Sequence, residues 1–261
     1  MDTGCDQLHA TVDVDGIATI IFDNPAKHNA MTGDMLAAFS RVCAAFAADP
    51  DVRVVVVTGA GDKAFISGAD ISQLAAGDLG SPGENDATQS SLSGLRTIGK
   101  PTIAMIHGWC LGGGVMVALD ADIRMCSTDA VFGIPAARLG VGYPHAATST
   151  LVALVGPGQA SEILFSGARL DAAEAERIGL VNRAVPIDHL EREVLDLARS
   201  IAANAPLSHR AHRASIRAAV SGRDEDLALV DPAIASAWAS EDFVEGGRAF
   251  IERRDPRFTG R

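Results

Sequence analysis

The stretch K-P-T-I-A-M-I-H-G-W-C-L-G-G-G-V-M, from Lys100 to Met116, decides how this chain is read. Thr102–Ile106 is short, apolar and partly β-branched, which predicts a strand buried on both faces. It runs through His107-Gly108 into Leu111-Gly112-Gly113-Gly114, and a helix is expected over Val115–Ala121. Three glycines therefore fall where a strand turns into a helix. Glycine permits close backbone approach there, and the first helical N–H groups have no intrahelical partner. Such a turn suits a developing negative charge, held by oriented donors and the helix dipole. Close packing alone would also call for glycine, so the triplet by itself leaves both readings open.

Outward from this stretch, strands and helices alternate. Ile17–Phe22 is a strand candidate ended by Asp23-Asn24-Pro25. Thr32 is placed to N-cap a helix through Ala48, with Met35, Leu36, Phe39, Val42, Cys43 and Phe46 on one face. Val52–Val57, closed by Gly59-Ala60-Gly61, reads as another buried strand, and Ile123–Cys126 as a further strand. Helices are expected over Ala146–Val155, Ala160–Phe165 and Ala172–Ile178. Gly77–Ser91, rich in Gly, Ser, Pro and Asn, predicts a mobile loop. From Leu190 the chain is Ala-rich, charged and helical in period, which predicts a carboxy-terminal helical module. No sequence repeat is visible. No G-x-G-x-x-G follows the first strand, so the motif of a Rossmann fold is missing.

Composition narrows the function. At 261 residues and 27.0 kDa the chain can bury a substantial α/β core. Its net charge of −11 argues against a nucleic-acid partner, since phosphate binding needs surplus Lys and Arg. Met1–His9 carries no basic region followed by an apolar run, and no apolar stretch suits a bilayer span. Cys5, Cys43, Cys110 and Cys126 are scattered, which reads as reduced thiols in a cytoplasmic protein. No cluster has metal-ligand spacing.

A second segment, K-A-F-I-S-G-A-D-I from Lys63 to Ile71, joins the glycine stretch in a pattern that resembles the enoyl-CoA hydratase/isomerase, or crotonase, superfamily. The resemblance starts at D-N-P-A-K-H-N-A (Asp23–Ala30), similar to the family's N-x-P-x-x-x-N-A turn with Asp23 in the leading Asn place. It continues through F-G-I-P (Phe132–Pro135), Leu139-Gly140 and the spaced set Gly167, Ala172, Ala175, Gly179 and Asn182. It closes on A-F-I-E-R-R-D-P-R-F (Ala249–Phe258). The resemblance implies an α/β fold of crotonase-like (ClpP/crotonase) type: a spiral core of repeated ββα units over residues 1–189 and an oligomerisation module over 190–261. It also implies a homotrimer or dimer of trimers, and an acyl-coenzyme A thioester as substrate with no permanently bound cofactor. Carried over residue by residue, the backbone N–H groups of Ser67 and Gly113 would form an oxyanion hole. Ala64, Phe65, Ile66 and Ile71 would surround adenine and pantetheine, Lys27 would sit near the phosphates, and Phe258 would close over the nucleotide from a neighbouring subunit.

Two departures stand out. A family hydratase has one glutamate two residues after the glycine triplet and another after the proline of F-G-x-P; here those places hold Met116 and Ala136. Neither can carry a proton, so general acid–base work loses its usual groups. Tyr143, in a G-V-x-Y run resembling that of methylmalonyl-CoA decarboxylase, and His145, which could titrate near neutrality, are the candidates to replace them. Each also has a structural reading, Tyr143 as a wall residue and His145 at a helix start. Structural roles are read for His107, Asp70, Asp120 and Asp122, and a solvated face or subunit contact for His209, Arg210, His212, Arg213 and Arg217. Two classes remain: an acyl-CoA-transforming enzyme, and an acyl-CoA-binding protein without chemistry.

Overall fold

The computed structural model describes residues 1–76 and 94–261; the loop expected over Gly77–Ser91 lies outside them. In chain order the elements are β1 (Leu8–Val12), β2 (Ile17–Phe22), α1 (Gly33–Ala48), β3 (Val54–Gly59), β4 (Ala64–Ile66), α2 (Ile71–Ala76), α3 (Gly94–Thr97), β5 (Thr102–Ile106), β6 (Trp109–Leu111) and α4 (Gly113–Asp120). Next come β7 (Ile123–Ser127), β8 (Val131–Gly133), α5 (His145–Ser166), β9 (Arg169–Asp171), α6 (Ala172–Arg177) and β10 (Arg183–Val185). The chain ends with α7 (Ile187–Ala202), α8 (Pro206–Ser221), α9 (Asp224–Leu227), α10 (Val230–Trp238) and α11 (Glu241–Glu252).

Among the described residues the strands form a six-stranded sheet, β1-β2-β3-β5-β7-β10, and a four-stranded sheet, β4-β6-β8-β9. β3, β5 and β7 lie side by side in the first sheet, and each is followed within a few residues by its successor in the second. α4 then returns the chain from β6 to β7, whereas β8 leads through α5 to β9 in the same sheet before α6 returns the chain to β10. That is a spiral of ββα units, as the family resemblance implies, built without any repeat in sequence. Pairing within it is parallel; β1 joins β2 antiparallel, with Leu8 opposite Phe22, and β8 joins β9 antiparallel.

Side-chain alternation explains why the inner strands are apolar on both faces. Ala18, Ile20, Val55, Val57, Ala104, Ile106 and Cys126 enter the main core, which also holds the apolar face of α1. The opposite face presents Ile17, Val54, Val56, Ile103 and Met125 to Leu190, Val194, Ala198 and Ala202, spaced four apart along α7. Burying a side chain of Val or Leu size stabilises by about 1.5–3 kcal/mol, so α7, although it falls in the expected carboxy-terminal module, belongs by packing to the sheet.

Thr32 caps α1, its Oγ1 accepting from Met35 N–H at 3.3 Å, and the six expected face residues are all buried. Three expectations shift. β3 begins at Val54 rather than Val52. The helices expected over Ala146–Val155 and Ala160–Phe165 form α5, interrupted at Gly156, whose φ of 77° and ψ of 162° break the helix before Pro157. β1, a half-exposed edge strand, adds to the expected strands.

Candidate active site

The site begins with two asparagines. Asn29 is fully buried; its Oδ1 accepts from Asn24 N–H at 2.9 Å, and its Nδ2 donates to the carbonyls of Ala60 (2.9 Å) and Ala64 (2.7 Å). These bonds fasten the turn after β2 to the start of β4. His28 and Asn29 take left-handed conformations, with φ of 51° and 57°. That turn then grips the segment after β4. Ser67 N–H donates to the His28 carbonyl (3.1 Å), Met31 N–H to the Gly68 carbonyl (2.8 Å) and Asp70 N–H to the Met31 carbonyl (2.8 Å).

Ser67, the expected first donor of the oxyanion hole, is thereby corrected: its N–H is already spent on His28. Gly68 and Ala69 N–H donate to nothing among the described residues. Gly113 opens α4 and, as a first-turn residue, has no intrahelical acceptor. A methyl group built on Gly113 would lie 3.6 Å from Ala69 N, and one on Gly68 would lie 4.0 Å from Gly113 N. The backbone nitrogens of Ala69 and Gly113 thus come close together at the positive end of a helix, with Met31 Cε beside them. Ala69 stands in the same G-A-D-I turn that marked Ser67. Only the left-handed turn at His28, which aims its carbonyl at Ser67, separates the two.

The other wall converges on Gly112. Its N–H donates to the Gly133 carbonyl at 2.9 Å, in continuation of the β6–β8 ladder, and Tyr143 Oη donates to the Gly112 carbonyl at 3.0 Å. Met116, Ala136 and Tyr143 are partly buried and rest on the main core. Burial pushes the Tyr143 phenol well above its ordinary range, with the nearby Cys110 and Asp120 adding to the effect. It is therefore a donor and not a base.

The remaining expected contacts divide. Lys27 Nζ lies 2.6 Å from Asp70 Oδ2, with the lysine side chain more than half exposed and the Asp70 carboxyl held down to about 2, chiefly by that bond. Ile71, 63% exposed, stands next in sequence to Asp70. Ala64, Phe65 and Ile66 are corrected: they are buried whole, at 1%, 0% and 0% exposed, and present no surface to a ligand. His145 is corrected too. It is exposed, with Nε2 3.4 Å from Ser149 Oγ, and it lines a groove shared with His212 and Arg213 rather than the glycine turn. Phe258 packs near Gly246 of its own α11. His107 is buried, with desolvation lowering its pKa, Asp120 pairs with Arg96, and Asp122 accepts from Thr102 and Arg213.

The sequence model of the enoyl-CoA hydratase/isomerase family matches residues 13–261. The chain belongs to that family. A mevalonyl-coenzyme A hydratase of Aspergillus fumigatus is 34% identical over 248 residues, covering 93% of this chain and 91% of that protein. A short-chain-enoyl-CoA hydratase of Clostridium acetobutylicum is 33% identical, covering 91% and 92%. The solved structure of an enoyl-CoA hydratase from Bacillus anthracis superposes with a TM-score of 0.86 at 28% identity, over 98% of this chain and 100% of that one. An enoyl-CoA hydratase/isomerase fold is thus assembled around a glycine turn whose flanking side chains, Met116 and Ala136, are apolar.

Proposed function

We propose that the protein is an acyl-CoA enzyme that holds the thioester oxygen between the N–H groups of Ala69 and Gly113 and stabilises the enolate formed there. The observation that carries this reading is the pair of unengaged backbone donors whose nitrogens come close together at the start of α4. One such donor supplies about 3 kcal/mol of barrier lowering. The exposed Lys27 beside Asp70 and the exposed Ile71 flank the Ala69 side, where the coenzyme would enter.

Hydration needs groups that place water and move a proton, and Met116 and Ala136 do neither. Decarboxylation of a malonyl-type thioester needs no base. The bond from the α-carbon to the carboxylate breaks, its electron pair passes into the thioester enolate, carbon dioxide leaves, and the α-carbon takes a proton from water. Tyr143, whose hydroxyl donates to the Gly112 carbonyl, would brace the glycine turn on the side where the carboxylate departs. The test is to mix the purified protein with methylmalonyl-CoA and, separately, with crotonyl-CoA. The expected outcome is release of carbon dioxide from the first and no fading of the enone absorbance of the second. Tight binding of both without reaction would instead mark an acyl-CoA-binding protein.

We also propose self-assembly as a trimer or pair of trimers in the cytoplasm, through the carboxy-terminal helices. Trp238, Phe243, Phe250 and Ile251 there are each more than half exposed, apolar side chains that a partner subunit would cover.

A further inference from the structure

Arg96, Asp120 and Thr150 meet at the far end of α4. Arg96 Nε donates to Asp120 Oδ1 at 3.0 Å, and its Nη2 contacts the same oxygen and donates to Thr150 Oγ1 at 3.1 Å. The Asp120 side chain is 7% exposed. Along α4, Gly113, Met116 and Asp120 stand at i, i+3 and i+7 and share one face. The ion pair therefore sits one turn beyond Met116, roughly 10 Å along the helix from Gly113. Beyond it opens a groove of about 820 Å³, lined by Arg96 and Asp120 themselves and by Leu154, Ile216 and Val220.

A hydrocarbon chain that reached this pair would strip water from Arg96, whose side chain is 32% exposed, and return no hydrogen bond, which is costly. A chain running from a carbonyl at Gly113 advances roughly 1.3 Å per carbon, given C–C bonds of about 1.5 Å. It meets the pair after about eight carbons. We propose that Arg96, Asp120 and Thr150 form the floor of the acyl site and restrict it to short acyl groups, a specificity that rests on the acyl-CoA reading above and adds the length of its substrate.

The test is calorimetric. Dissociation constants are measured for butyryl-, hexanoyl-, octanoyl- and dodecanoyl-CoA with the full chain and with the double variant Arg96→Leu/Asp120→Leu. Both residues are changed together because one alone would leave a buried charge unpaired. In the unaltered protein, affinity should rise about fourfold per methylene up to hexanoyl, with dodecanoyl-CoA at least tenfold weaker than that trend projects. In the double variant the dodecanoyl-to-butyryl affinity ratio should rise at least tenfold as the groove becomes available. An unaltered protein that follows the trend through dodecanoyl overturns the floor, whatever the variant does, and so does a folded variant with an unchanged ratio. Failure of every thioester to bind, butyryl included, would sink the acyl-CoA reading and the floor with it.

Discussion

On one side of the glycine turn, residues 28–31 and 67–70 are joined by three backbone hydrogen bonds, and the two donors left over are themselves backbone N–H groups. On the other side stand Met116, Ala136 and Tyr143, whose side chains pack on the main core. The two regions age differently under substitution. A backbone donor survives a change of side chain so long as the turn that aims it survives. A proton-transfer group is lost with a single replacement. A chain can therefore keep the part of an enoyl-CoA hydratase/isomerase site that polarises a carbonyl while giving up the part that moves protons, and its chemistry is then limited to steps that polarisation alone can drive.

The sharpest way to probe the backbone half is to compare two neighbouring glycines. A methyl group on Gly114 would fall 2.1 Å from the Ile66 carbonyl oxygen and 3.0 Å from Ile66 Cβ, a clash with β4 backbone that no rotamer relieves. Gly114→Ala should cost more than about 4 kcal/mol and leave little folded protein in a denaturation or expression assay. On Gly113 the nearest atom is Met31 Cε at 2.6 Å, the free end of a flexible side chain, and the next is Ala69 N at 3.6 Å. Gly113→Ala should fold, at a cost of about 1–3 kcal/mol, and lose about 100-fold or more in turnover as the added methyl crowds the oxygen. A folded Gly113→Ala protein with full turnover would mean that the reacting oxygen sits elsewhere.

What could be read from the chain follows the same division. The α1 face, β5 and the glycine turn were legible because periodicity and glycine placement act over a few adjacent residues. β4, β6 and β8 were not, since three-residue strands carry too little pattern and exist only because each pairs across the smaller sheet. The resemblance points to the Ser67 N–H, and the structure shows that donor engaged by the His28 carbonyl. Ser67 and Ala69 differ only in which N–H meets the His28 carbonyl, a matter of tertiary hydrogen bonding. Ala64, Phe65 and Ile66 lie in the expected segment with their side chains turned into the core, and His145 lies at the expected helix start but turns to another groove.

The side-chain half can be rebuilt. Met116→Glu combined with Ala136→Glu restores carboxyl groups at the two places from which hydratases deliver and remove a proton. The double variant should acquire hydration of crotonyl-CoA, contributing on the order of 100-fold over the unaltered chain from acid–base catalysis, visible as fading of the enone absorbance. Unchanged absorbance with crotonyl-CoA still bound would show that α4 and the turn after β8 do not present these positions to the acyl group.

The smallest effect concerns Tyr143, which touches both halves because its hydroxyl donates to the Gly112 carbonyl. Tyr143→Phe removes that bond and should cost about 1 kcal/mol, lowering Tm by roughly 2–4 °C. If that bond also holds the glycine turn in its aim, kcat for a malonyl-type thioester should fall about tenfold with KM little changed. A wall residue would move Tm alone. The pH profile separates the roles again: burial raises the phenol's pKa, so the protonated form persists as pH climbs. The unaltered protein should accordingly keep its rate through about pH 10, the ordinary tyrosine range, and a fall in rate there would show that the hydroxyl titrates freely in solvent rather than behind the turn at Gly112.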